Sequence, residues 1–292
     1  MFTVTQLQVI DAVHRHGSVT AAADDLGYAQ PSISHHLSRL EAQARTQLLQ
    51  RVGRGIRLTE AGRLLAERAA EIIGRIDAAT AELSTLATLE GGRVRVAGFS
   101  SGLSSLAPAA AAVLARRHPR LQLGLSDTHP EDALTLLRAG QAEIALIFRY
   151  DSTAPDQDVR LVHLLDDPLY LLTRDGGTTL EAHRDAPWIG GCPRCSEHLT
   201  TLCAAAGFTP RLRSSSDDMV VMQSLVAAGL GVTTIPGLAL HAHRNPGVTA
   251  TRLGVRPRRI YAATYGQPPD PPATAAVLTA LIEVAPSLAE PV

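Results

Sequence analysis

The chain has 292 residues, 45% hydrophobic and 19% charged, which is globular composition for more than one domain and excludes a disordered or fibrous chain. Its formal net charge of -1 gives no overall pull toward nucleic acid. All 27 positive residues are arginine, so phosphate contacts would fall to arginine, histidine, polar side chains or backbone amides.

No apolar run is long enough for a membrane helix. The opening MFTVTQLQVIDAVHRHG lacks the basic start, apolar run and cleavage site of a signal peptide. A cytoplasmic protein with no membrane partner is expected.

Leu7, Ile10 and Val13 recur at helical spacing over 6–16. Ser18 is a natural N-cap for a short helix over 19–26, and Gly27 suits its left-handed close. A third helix starts near Gln30 and runs to about Ala44, with Pro31 at its first position and an apolar face of Ile33, Leu37 and Leu40. Ala21, Ala22 and Ala23 allow the second and third helices to cross closely, as in a helix-turn-helix. The outward face of the third helix carries Gln30, Ser32, Ser34, His35, Ser38 and Arg39, which suit phosphates and base edges.

RVGRGIRL at 51–58 reads as a short β-wing presenting Arg51, Arg54 and Arg57. Thr59 then caps a long helix to about Leu89. Leu65, Ala69, Ile72, Ile76, Ala79, Leu83 and Leu86 alternate steps of four and three, a heptad seam. At ~1.5 Å per residue such a helix reaches roughly 45 Å, too long for a small domain's interior, so a dimerising linker is expected.

After Gly91-Gly92 strands alternate with helices: a strand at RVRVAGFS, helices over 103–118 and 130–139, strands over 121–127 and 143–148. The rhythm resumes after Arg160 and ends with a strand over 258–266 and a helix over 273–284. This predicts parallel α/β sheet in two lobes around a cleft. The expected domains are 1–58 (winged helix-turn-helix), 59–90 (linker helix) and 91–292 (ligand-sensing). Lobe one takes 93–160 and 267–292, and lobe two takes 161–266.

The stretches GSVTAAADDLGYAQPSISHHLSRLE and RGIRLTEAG resemble the LysR-type transcriptional regulators, as do GLSSLAPA, AGQAEIALI and SLVAAGLGVTTIP more weakly. The family pattern has glycine where Arg45 stands and phenylalanine where Leu49 stands. The resemblance implies an α/β protein with a winged helix-turn-helix, a linker helix and a two-lobe effector domain like the periplasmic binding proteins. It implies a homodimer or dimer of dimers on interrupted palindromic double-stranded DNA, and a small-molecule co-inducer in the cleft.

The candidate DNA contacts are Ser18, Gln30, Pro31, Ser32, Ser34, His35, Arg39, Arg51, Arg54 and Arg57. The candidate effector contacts are Ser100 and Ser101 where the first strand meets its helix, Thr128, Phe148 and Arg149 at later strand ends, and Arg194 with Gly231, Val232 and Thr233 from lobe two. Singly, each serine caps a helix as readily as it binds a ligand. Arg149, Arg194 and the helix N-terminus together suggest an anionic ligand.

GCPRCSEHLTTLC is the chain's oddest segment. Cys192, Cys195, His198 and Cys203 could supply four zinc ligands, and the CxxC could sense redox state. Structural zinc sites usually draw on two separated ligand pairs, which favours packing and cleft-lining. A thiol- or metal-responsive regulator is the alternative reading.

The two lobes alone would also suit an enzyme or a solute-binding protein. No nucleophile elbow, phosphate-binding glycine loop, HExxH or paired-carboxylate constellation is present. The N-terminal motif weighs against both, so neither catalytic residues nor a cofactor is expected.

Overall fold

The computed structural model describes residues 1–52, 55–88, 92–150, 159–266 and 268–289. The chain divides after Leu89 into an N-terminal unit and a C-terminal unit, which takes nearly all of the remaining residues.

In the N-terminal unit, α1 (Val4–His16) starts two residues before the expected Gln6. Its capping box explains the shift. The Gln6 amide donates to Thr3 Oγ1, and Gln6 Oε1 accepts from the Thr3 amide. Next come α2 (Val19–Leu26) and α3 (Gln30–Ala44). Ala22 and Ala23 are buried against Ile33, Leu37 and Leu40 in one core. Arg45 closes α3 at φ 53°, in the left-handed region. That geometry accounts for a glycine in the family pattern at this position.

A hairpin of β1 (Leu49–Val52) and β2 (Gly55–Leu58) comes after α3. Glu41 Oε1 fastens it to α3 by accepting from the Leu48 and Leu49 amides at 2.8 and 3.1 Å. Leu48 fills the core, while Leu49 is only half-buried against it. Thr59 Oγ1 accepts from the Gly62 amide and so starts α4 (Glu60–Thr88). Ala66 and Ala69 of α4 join the core. Farther along, Ile72, Ile76 and Leu83 are 45%, 41% and 67% exposed.

The C-terminal unit opens with β3 (Arg93–Gly98), α5 (Ser100–Arg117), β4 (Gln122–Asp127), α6 (Pro130–Arg138), β5 (Ile144–Arg149) and β6 (Val159–Asp167). It continues through β7 (Leu169–Thr173), β8 (Pro187–Gly190), α7 (Pro193–Ala205), β9 (Arg211–Ser215), α8 (Met219–Ala227) and β10 (Thr233–Pro236). It closes with α9 (Gly237–Ala242), β11 (Thr249–Arg252), β12 (Arg258–Tyr265) and α10 (Pro272–Leu288). The first lobe's sheet has the order β4-β3-β5-β12-β6. β3 runs parallel to β4 and β5, but β12 runs antiparallel to β5 and β6. The second lobe joins β10-β7-β11 to β8-β9 through a parallel bridge, Trp188 to Val232.

Two expectations are corrected by this topology. The sheet is mixed rather than wholly parallel. The lobe limits also move: 161–167 and 258–266, assigned to lobe two by sequence, contain strands of lobe one's sheet. β6 and β12 carry the chain out of lobe one and back, so they pair with each other and with β5.

Asp167 and Arg258 sit where these crossing strands meet, 0% and 2% exposed in their side chains. Arg258 donates from Nε to Asp167 Oδ2 at 2.8 Å and from Nη2 to Ser101 Oγ at 2.7 Å. Asp167 Oδ1 accepts from the Leu238 amide at 3.0 Å. The guanidinium also lies over the rings of Phe148 and Phe99, 4.7 and 4.9 Å from their centroids.

These contacts make two stability predictions. Arg45→Gly removes a left-handed non-glycine residue and should stabilise by about 1 kcal/mol, raising the melting temperature by a few degrees. An unchanged or lowered midpoint in thermal unfolding counts against that strain. Asp167→Ala leaves Arg258 buried without its counter-ion and should cost about 3–5 kcal/mol. Denaturant unfolding of the full chain measures it, and a loss below ~1 kcal/mol contradicts the buried-pair account.

Candidate functional site

The outer side of α3 is built by subtraction. Ile33, Leu37 and Leu40 turn into the core, which leaves Gln30, Pro31, Ser32, Ser34, His35, Ser38 and Arg39 exposed. No side chain caps the N-terminus of α3, where Pro31 has no amide proton and the Ser32 amide donates to the Ala29 carbonyl at 2.9 Å. Ser18 has a structural duty as well: its Oγ accepts from the Ala21 amide at 3.4 Å and starts α2. Arg57 is exposed on β2. Arg54 and the side chain of Arg51 lie outside the described residues.

The C-terminal unit holds a cavity of about 720 Å³ between its lobes. Phe99, Ser100, Ser101, Ser104, Asp127, Thr128, His129 and Phe148 line it from lobe one. Cys192, Cys195, Asp217, Asp218, Met219 and Val220 line it from lobe two, with Arg258 where the lobes join. β3, β4 and β5 all end at this edge, which is why their ends supply the lining. Burial raises the Asp127 carboxyl above its ordinary pKa; His129 opposes the shift and Asp217 adds to it.

Ser100, Ser101, Thr128 and Phe148 therefore stand where the sequence reading put them, although Ser101 is turned to Arg258. Arg149 and Arg194 line a second cavity of about 480 Å³, and Phe148 lines both cavities. Arg194 is paired with Glu131 there and faces the Phe148 carbonyl. The main cavity instead carries Asp127, Asp217 and Asp218. The expectation of an anionic ligand thus loses its two arginines and keeps only the N-terminus of α5.

Gly231, Val232 and Thr233 line neither cavity. They hold β10 against β8: a Cβ on Gly231 would lie 2.6 Å from the Pro187 carbonyl, and Thr233 Oγ1 donates to the Ile189 carbonyl at 2.7 Å.

Sequence reasoning missed Asp127, His129, Asp217, Asp218 and Arg258. Asp127 and His129 flank the nominated Thr128, so the strand-end rule could have reached them. Arg258 opens the strand misassigned to lobe two.

Side chains of the two lobes meet around the cavities. His129 Nε2 is 3.7 Å from Asp217 Oδ2, Arg194 pairs with Glu131, and the His198 ring stacks on Tyr150 with centroids 3.6 Å apart.

The four suggested zinc ligands do not converge. Cys203 is 0% exposed among Leu169, Trp188 and Leu199, while His198 faces Tyr150. Among the described residues no group of three or more His, Cys, Asp or Glu is placed to hold a metal ion. Burial pushes the Cys203 thiol up to about 11.

Comparison with known proteins places the whole arrangement. Residues 4–63 match the family described as bacterial regulatory helix-turn-helix protein, lysR family, and residues 87–286 match the LysR substrate binding domain. The chain is 25% identical over 250 residues to the uncharacterized HTH-type transcriptional regulator YfeR of Shigella flexneri, covering 82% of this chain and 80% of that one. It is 30% identical over 144 residues to the HTH-type transcriptional regulator CbbR of Rhodospirillum rubrum, covering 49% of this chain and 48% of that one. Its fold is similar to the crystal structure of CbnR, a LysR family transcriptional regulator, at a TM-score of 0.69 and 23% identity, covering 97% of this chain and 99% of that one. Full-length OxyR from Pseudomonas aeruginosa gives a TM-score of 0.65 at 20% identity, covering 97% and 98%. With both halves matched in chain order, and the second match alone spanning more than half of the residues, this chain belongs to the LysR family of DNA-binding transcription regulators with an effector-binding domain.

Proposed function

We propose that the chain reads an interrupted DNA palindrome as a dimer or dimer of dimers, and that a small polar co-inducer in the larger inter-lobe cavity changes how the DNA is held. The polar outer face of α3, left free by its three core residues, carries this reading. Arg39 and His35 would meet base edges; Gln30, Ser32, Ser34 and Ser18 would meet backbone or base edges; Pro31 shapes the helix entry; Arg57, with Arg51 and Arg54, would follow the phosphates. Such a reader acts where the DNA is, in the cytoplasm, and no described helix is long and apolar enough to cross a membrane. No catalytic role is proposed.

In this reading 1–58 binds DNA, 59–90 dimerises and 91–292 senses the ligand. The exposed Ile72, Ile76 and Leu83 share one stripe of α4, which suits a second copy of the same helix. A two-fold protein calls for a two-fold site. The ligand acts by binding one arrangement of the lobes better than another, and the contacts between the lobes, such as Arg194 with Glu131 and His198 on Tyr150, are what a rearrangement must remake.

The primary test is a footprint on the DNA flanking the protein's own gene, repeated across salt concentrations. A protected interrupted palindrome that weakens steeply with salt is expected. Arg39→Ala should cost about 1–3 kcal/mol of specific binding, and Arg57→Ala should lower the salt slope by roughly one. Specific protection that survives Arg39→Ala unchanged removes that residue from the reading face. For the cavity, a melting-temperature screen of small polar metabolites should find a ligand whose affinity falls with Ser100→Ala or Thr128→Val. Each lost hydrogen bond is worth about 0.5–1.5 kcal/mol. A ligand indifferent to both changes places its site elsewhere.

A further inference from the structure

Neither the DNA-reading face nor the packing of lobe two accounts for Cys192 and Cys195. Cys192 is the N-cap of α7, with Pro193 directly after it, and Cys195 stands one turn on. The Cys195 amide points at Cys192 Sγ at 3.3 Å, and the two sulfurs are 2.8 Å apart. Sulfur accepts hydrogen bonds weakly, so serine or aspartate would cap this helix better. The approach is also tight: a Cβ on Gly191 would lie 3.0 Å from Cys195 Cβ.

Both sulfur residues line the larger cavity, which gives small reagents a route to them. Cys195 also packs against the core of lobe one. Cys203, on the same helix, is sealed in the core of lobe two and serves as an internal comparison.

We propose that Cys192 and Cys195 are a reversible dithiol–disulfide couple in the wall of the ligand cavity, oxidised by low-molecular-weight disulfides. The Cys192 thiolate attacks one sulfur of the reagent. Its S–S bond breaks, one half stays on Cys192 as a mixed disulfide, and the other leaves as a thiolate that takes a proton. Cys195, giving up its proton, then attacks the Cys192 sulfur, and the second half leaves as a thiol. Two protein thiols become one disulfide, and one reagent disulfide becomes two thiols.

The order of attack is set by the surroundings. Hydrogen bonding from the Cys195 thiol holds Cys192 at about 6 against the opposing effect of burial; His129 assists and Asp217 opposes. The same interaction, with burial, pushes Cys195 up. A helix N-terminus favours the thiolate as well.

Oxidation replaces a thiolate beside His129 and Asp217 with a neutral bridge, so the couple would alter the same cavity that takes the co-inducer. That consequence rests on the cavity reading above; the thiol chemistry does not.

The test uses the full chain, reduced and then equilibrated with mixtures of oxidised and reduced glutathione, quenched in acid and alkylated with N-ethylmaleimide. As the oxidised share rises, Cys192 and Cys195 should lose alkylation together, while Cys203 becomes alkylated once the chain is unfolded. Tryptic cleavage after Arg184, Arg194 and Arg211 puts Cys192 on one peptide and Cys195 with Cys203 on the next, so the bridge should appear by mass as these two peptides joined, with Cys203 alkylated, and a thiol reductant should part them. Cys195→Ser should stop at a glutathione adduct on Cys192, and Cys192→Ser should leave Cys195 without one. Full alkylation of Cys192 and Cys195 at the most oxidising mixture, or a bridge to Cys203 or between chains, overturns the proposal. The readout is on the thiols alone, so a failed co-inducer screen leaves it unaffected.

Discussion

A carboxylate and a guanidinium, both shut off from solvent, join the crossing strands of the C-terminal unit. Removing Asp167 and Arg258 from water is costly, and the surroundings offset that cost with hydrogen bonds to Ser101 and the Leu238 amide and with two aromatic faces. The pair links the end of β6, the start of β12, the first turn of α5 and the start of α9. Three of these lie beside the larger cavity, so the geometry of that cavity depends on a contact that holds the lobes' connection together. Ser101 shows the consequence: it lines the cavity, yet its hydroxyl is already committed to Arg258.

The N-terminal unit depends on smaller groups. Ala22 and Ala23 let α2 lie close to α3, and Glu41 ties α3 to the hairpin by accepting from two successive amides. With the inner side of α3 so occupied, its serines, His35 and Arg39 are left exposed. The polar face of α3 is thus the complement of the core, and the same periodicity specifies both.

Charge around the larger cavity is arranged differently from what arginine-rich strand ends suggest. Arg194 is answered by Glu131 and Arg258 by Asp167, whereas Asp127, Asp217 and Asp218 border the open space. A positive residue near a strand end says little about the field in a cleft until its partner is known, and both partners here are distant in the chain.

Local pattern alone determined the helix-turn-helix, the hairpin after it, the long heptad helix and the α/β character of the remainder. Each of these rests on neighbours within a few turns of chain: Ser18 and Gly27 as caps, Ile33, Leu37 and Leu40 as one face, Ser100 and Thr128 at strand ends. Tertiary structure decided what depends on residues far apart. It placed β6 and β12 in the first lobe's sheet, because their partners are each other and β5 rather than their chain neighbours. It turned Gly231, Val232 and Thr233 into supports for β8, took Cys203 away from Cys192 and Cys195, and paired Arg194 and Arg258 with acids across the fold. Periodicity reports which side of an element is apolar; only the folded chain reports which distant side chain meets it.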